Sequence, residues 1–97
     1  MITGFRDKAT QDLYVGENSK EARKIPRTLW TVAKRKLDVL HATPKLDDLR
    51  QPPGNRLEKL RGDLEGFYSI RINDQYRVIF VWENGNASRV QITDYHE

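Results

Sequence analysis

Cysteine is absent from the chain. That absence removes disulfide scaffolds, thiolate metal sites, cysteine nucleophiles and iron–sulfur clusters together. Histidine is scarce, with only His41 and His96. No Asp/Glu group joins them at metal-ligand spacing, so no metal site is expected. No run approaches the roughly 20 apolar residues of a membrane-spanning helix, and the mean hydropathy is −0.78. Residues 1–7 lack the apolar stretch of a secretory signal. The expectation is a cytoplasmic protein without membrane contact.

What is present suits one domain over residues 1–97. A chain of this length buries about 60–65% of its unfolded surface, enough for one core and too little for a large enclosed cofactor pocket. The net charge is +3, unevenly placed. Residues 1–50 carry 11 Lys/Arg against 7 Asp/Glu, and residues 51–97 carry 6 against 7. The excess is concentrated in Lys20, Arg23, Lys24, Arg27, Lys34, Arg35 and Lys36, against Glu21 alone. Such a segment attracts polyanions. It is also what a solvated helix face looks like.

Periodicity orders the elements. Residues 1–6 read as a short strand. Asp7 is placed to cap a helix over residues 8–15, which stops at Gly16. Pro26 suits the first turn of a second helix, with Leu29, Ala33, Leu37 and Leu40 at helical spacing and an end near Ala42 before Pro44. After Pro52-Pro53-Gly54-Asn55 the pattern becomes extended. Strands are expected over residues 56–61, 67–72, 76–82 and 89–95, with turns at Asn73-Asp74-Gln75 and Asn84-Gly85. The strand 76–82 is nearly all apolar, as for a strand covered on both faces. Segregated helices followed by a meander predict an α+β fold. Two helices pack on one face of a mostly antiparallel, twisted sheet of four to five strands.

Three polar features exceed what such a fold needs. Arg77 enters a strand that otherwise reads as core. A guanidinium there requires anions, supplied either by Asp74, Asp63 or Asp94 or by a bound phosphate. Asp94-Tyr95-His96 follows the last strand, and imidazole exchanges protons near neutrality. Arg56 to Asp63 mixes charges on a short strand, either to protect a sheet edge or to furnish a carboxylate and cations beside a groove.

Leu57-Glu58-Lys59-Leu60-Arg61-Gly62, Gly66-Phe67-Tyr68-Ser69-Ile70-Arg71-Ile72-Asn73, Tyr76-Arg77-Val78-Ile79-Phe80 and Asp94-Tyr95-His96 together resemble the HigB toxins of the RelE/ParE superfamily. Gly4-Phe5, the helix end Lys36 to Ala42, and Leu49-Arg50-Gln51-Pro52-Pro53-Gly54-Asn55 are similar too, in the same order along essentially the whole chain. The resemblance implies a RelE-like fold and the toxin of a type II toxin–antitoxin pair. It implies a ribosome-dependent endonuclease that cuts messenger RNA in the decoding A site, using the RNA's own 2′-hydroxyl and no metal or cofactor. It also implies a HigA-type helix-turn-helix antitoxin, with operator DNA bound only through that partner.

The resemblance assigns roles by position. Arg77 corresponds to the phosphate-binding arginine, a role that its bidentate fork fits. His96 corresponds to the terminal histidine and is the expected general acid. Glu58 stands where YoeB-type toxins carry a glutamate base. Arg61 stands where HigB relatives often carry lysine. Arginine does not release its proton in this range, so Arg61 is restricted to charge stabilisation or RNA docking. Asp94 orients and charges His96 or takes the proton itself. Tyr95 stacks on a base or contacts phosphate. The basic segment from Lys20 to Lys36 then docks on ribosomal RNA. Two alternatives stay open: a ParE-like gyrase poison on the same architecture, and a catalytically weak module that binds nucleic acid or an acidic protein.

Overall fold

The computed structural model describes residues 1–94. Helices α1 (Lys8–Val15) and α2 (Trp30–Ala42) precede four strands, β1 (Glu58–Lys59), β2 (Phe67–Arg71), β3 (Arg77–Glu83) and β4 (Asn86–Thr93). The strands form one antiparallel sheet in the order β1-β2-β3-β4. The architecture is the expected α+β arrangement. Residues 2–5 run parallel to β4, bridging Ile2 to Ala87 and Phe5 to Val90. The N-terminal segment is therefore a fifth, irregular edge.

Local chemistry sets the helix ends. The Asp7 carboxylate accepts from the Thr10 N–H at 3.0 Å, satisfying one of the free donors at the start of α1. Gly16 ends α1 at φ 85°, the left-handed conformation that glycine adopts without strain. Asp12 then ties α1 to the connector, because Lys8 Nζ and Ser19 Oγ each donate to its carboxylate at 2.6 Å. Pro26 does not open α2 directly. It caps a 3₁₀ turn over Arg27–Leu29, and the α-helix begins at Trp30.

Alternation gives the sheet two faces. Ile70, Val78, Phe80, Val90 and Ile92 point toward the helices and join Leu29, Ala33, Leu37 and Leu40 in one buried cluster. The stripe read from α2 is thus the core. Leu60, Phe67 and Ile79 form a smaller cluster on the other face, so β3 is covered on both sides, as its composition predicts.

The last hairpin departs from the expected boundaries. Asn84 and Gly85 have φ 53° and 79°, a two-residue turn with both φ positive. β4 therefore starts at Asn86, three residues earlier than the apolar alternation suggests. The register then shifts: Val81 pairs with Ser88 and Ile79 with Gln91. β4 carries one extra residue opposite Phe80, a bulge whose first member, Arg89, has φ 51°. The bulge returns Val90 to the helix side. β1 is shorter than the 56–61 expectation, retaining only Glu58 and Lys59. Among the described residues, no helix is long and apolar enough to cross a membrane.

Candidate active site

The sheet face turned away from the helices gathers the candidate residues. Glu58 pairs with Ser69, Ser69 with Ile79, and Arg71 with Arg77. Three strands therefore present Glu58, Ser69 and Arg77 on one face, with Arg77 diagonal to Ser69. Diagonal neighbours across an antiparallel pair lie within reach of a long side chain.

Arg77 uses that reach. Its Nη1 donates to Ser69 Oγ at 3.1 Å, and its Nη2 lies 3.4 Å from Glu58 Oε1. The Arg77 side chain is only 18% exposed and that of Glu58 is 42% exposed. Glu58 is thus a carboxylate beside Arg77, a pairing that the sequence does not single out. Asp74 instead pairs with Arg71 across the turn. A guanidinium carries five N–H donors; fixing two of them orients the fork and leaves others for an anion.

Ser69 escaped the sequence reading. It is fully buried, yet it reads there as one more polar residue alternating with Tyr68 and Ile70. A hydroxyl two residues before the arginine's strand partner, Arg71, was the available signal. Asn55 was missed as well. It is 1% exposed, and its Nδ2 donates to the carbonyls of Leu49 and Gln51 at 3.1 Å each, while Lys36 donates to its Oδ1. This amide locks the Pro52–Asn55 turn that delivers the chain to β1.

The remaining candidates are less tightly gathered. Asp94 follows Thr93, the residue that pairs with Arg77, and accepts from Gln75 Nε2 at 3.0 Å. Arg61 is exposed and opens the turn Gly62–Leu64, whose Leu64 packs on the Phe67 cluster. Tyr95 and His96 lie outside the described residues. The seven cations from Lys20 to Lys36 lie on the connector after α1, on the 3₁₀ turns that follow it and on α2, rather than on the sheet. Several already have partners: Lys24 pairs with Glu21 and Lys34 with Asp38, each at 2.8 Å. Arg27 stacks on Trp30 at 4.5 Å, and Arg23 donates to the Asn18 carbonyl at 2.9 Å. Lys36 is half-buried, and burial together with the charges of Arg35 and Arg71 lowers its pKa below the usual lysine value. Lys20 and Arg35 are exposed. Among the described residues, no group of three or more His, Asp or Glu is arranged to hold a metal ion.

Known structures share this plan. The YoeB–YefM complex from Staphylococcus aureus superposes with a TM-score of 0.55 at 16% identity, over 100% of this chain and 99% of that one. A YoeB/ParE toxin from Agrobacterium tumefaciens gives 0.54 at 13% identity, over 98% of both chains. The fold is that of the YoeB- and ParE-type toxins. The family described as "RelE-like toxin of type II toxin-antitoxin system HigB" matches residues 3–96, and the chain belongs to it. Toxin HigB-1 of Vibrio cholerae is 46% identical over 87 residues, 90% of each chain. The Endoribonuclease HigB of Proteus vulgaris is 39% identical over 41 residues, 42% of this chain and 45% of that protein.

Proposed function

We propose that this toxin is an endoribonuclease that cuts messenger RNA in the ribosomal A site and so stops translation in the cytoplasm. The observation that carries the reading is Arg77, a largely buried guanidinium oriented by Ser69 and Glu58 on an open sheet face. A relative named for endoribonuclease activity supports it. A fixed guanidinium matches the charge that builds on phosphoryl oxygens during phosphodiester cleavage.

Cleavage by the adjacent 2′-hydroxyl needs a base for that hydroxyl, a cation at the phosphate and an acid for the departing 5′-oxygen. Glu58, beside the Arg77 fork, is the base in this scheme. Arg77 holds the scissile phosphate, and Arg61 adds positive charge at the rim. His96 is the acid, with Asp94 orienting it and Tyr95 contacting a base or phosphate. The strand pairing favours the assignment: His96 is three residues beyond Thr93, a reach of at most about 11 Å, and Thr93 is the partner of Arg77. Each positioned proton-transfer group contributes about 10²–10⁴-fold. The product chemistry follows: the 2′-oxygen displaces the 5′-oxygen, giving a 2′,3′-cyclic phosphate and a free 5′-hydroxyl.

The Lys20–Lys36 cations dock on ribosomal RNA in this reading, with Lys20, Arg23, Lys24, Arg27 and Arg35 exposed. A HigA-type helix-turn-helix antitoxin is the neutralising partner, and operator DNA is reached through it.

The test is cleavage of a defined message on programmed ribosomes, with the cut mapped and ribosomes omitted in a parallel reaction. A cut in the A-site codon that disappears without ribosomes, and that His96→Ala abolishes, is the expected result. Intact message together with DNA damage after expression points to gyrase and sinks the nuclease reading. Intact message with no growth arrest leaves a binding module.

A further inference from the structure

A second pair of cations occupies the same open face beside Phe67, two residues, or about 7 Å, along β2 from the Ser69 hydroxyl that holds the Arg77 guanidinium. Arg6 and Arg89 come from opposite ends of the chain. The N-terminal edge positions Arg6, whose backbone N–H bonds to the Val90 carbonyl at 2.9 Å. The bulge in β4 positions Arg89. Their guanidinium carbons lie 5.2 and 5.4 Å from the centroid of one ring, Phe67. Phe67 is 6% exposed and anchored by Leu60 and Ile79, so it serves as a platform rather than a stacking surface for a ligand.

Stability alone does not account for this arrangement. The first residue of such a bulge is usually glycine in the left-handed conformation, and Arg89 holds φ 51° there, which is strained for a residue with a side chain. Like charges converging on one ring repel each other. Among the described residues, no carboxylate pairs with either cation. Arg6 donates to the neutral Gln91 Oε1 at 3.2 Å. Asp7, the acid next in sequence, caps α1 and accepts from Gln91 Nε2 at 3.2 Å. Two exposed guanidinium groups placed on one ring, neither paired with an acid among the described residues, complement an anion. That offset from the Arg77 contact corresponds to about two nucleotides of one strand.

We propose that Arg6 and Arg89 form a second phosphate subsite. It grips the message strand about two nucleotides from the phosphate held by Arg77. The proposal rests on the nuclease reading. It assigns the pair to substrate binding rather than to bond breaking, and it makes the bulge a device for turning Arg89 onto the RNA face.

The experiment uses programmed ribosomes carrying messages with a single neutral methylphosphonate at positions flanking the cut. The wild type is compared with an Arg6→Gln/Arg89→Gln double variant, and an Arg6→Lys/Arg89→Lys variant keeps the charge. The double glutamine variant is expected to raise KM about tenfold, with a smaller change in kcat. Its salt dependence is expected to flatten by about 1.4 in log–log slope, the value for two single-strand phosphate contacts. At one flanking position the methylphosphonate weakens binding by the wild type and by the lysine variant but not by the glutamine variant, because both changes remove the same contact. Equal melting temperatures for all three proteins separate binding from packing. An unchanged KM in the glutamine variant overturns the subsite. So does a raised KM that adds to the methylphosphonate penalty at every position, since the cations then hold ribosomal RNA. A wild type that cuts no message overturns the nuclease reading and the subsite with it, a result visible before any variant is made.

Discussion

The two faces of the sheet are built to different specifications. The helix-covered face is almost entirely apolar. Leu37, Leu40, Ile70, Val78, Phe80 and Val90 are fully buried there, and van der Waals fit decides its energy. The open face sets a small apolar cluster beside polar groups that cross-link three strands. On the covered face each side chain matters through volume. On the open face each matters through direction, because a hydrogen-bonded guanidinium is useful only when aimed. Substitutions on the first are therefore expected to change stability, and substitutions on the second to change chemistry.

The sharpest way to break that distinction starts at Phe80, which stacks near Tyr68 and meets Trp82 edge-on. Phe80→Ala is expected to lower the unfolding free energy by about 3–5 kcal/mol, read from urea melts. An effect under about 1 kcal/mol would mean that this face is not the core. Arg77→Gln comes next. Message cleavage is expected to fall about 100-fold or more, the usual consequence of losing one fixed donor to a developing anion. Stability is expected to change by less than about 2 kcal/mol. A variant that cuts normally removes Arg77 from the site.

Ser69 sharpens the comparison, since it is buried like the core yet serves the open face. Ser69→Ala is expected to reduce kcat about tenfold with KM little changed, as one charge-assisted hydrogen bond is lost. Ser69→Thr, which keeps the hydroxyl, should recover most of it. Equal loss in both variants would indicate a packing role. Asp7→Ala removes the α1 cap and the Gln91 contact. It is expected to cost about 1 kcal/mol, a modest decrease measurable by thermal melting.

The smallest effect is a pH dependence at Asp12. Hydrogen bonds from Lys8 first and Ser19 second hold its carboxyl below the ordinary value. A carboxylate with a lowered folded pKa contributes stability above its unfolded value, about 3.9. That contribution is lost as pH falls through the lowered folded value. The melting-temperature gap between wild type and Asp12→Asn should therefore be full near neutrality and close progressively below about pH 4. A gap that is constant with pH would show that the carboxylate charge contributes nothing.

Much of the covered face was legible in the chain. Asp7 and Gly16 bracket α1 because capping chemistry is local, and the α2 stripe stands out because helical periodicity needs only a dozen residues. Pro26 misplaced the start of α2 by four residues, since a proline opens a 3₁₀ turn as readily as an α-helix. The alternation of Val90 and Ile92 starts β4 at Arg89 on sequence grounds, because Ser88 and Arg89 interrupt the pattern upstream. That interruption is the bulge. Arg77 stands out as a charge within an apolar strand, and the resemblance names Glu58, but their pairing is not legible because 19 residues separate them.

Residue order alone determined the element types, the turns, the apolar stripe and the likeness to a toxin family. All of these follow from interactions within a few positions or from motifs kept in order. Tertiary pairing decided which carboxylate faces Arg77, that Ser69 would aim it, and that Arg6 and Arg89 would share one aromatic ring. The physical reason is register: a one-residue change in strand pairing sends a side chain to the opposite face, and only the folded sheet sets that register.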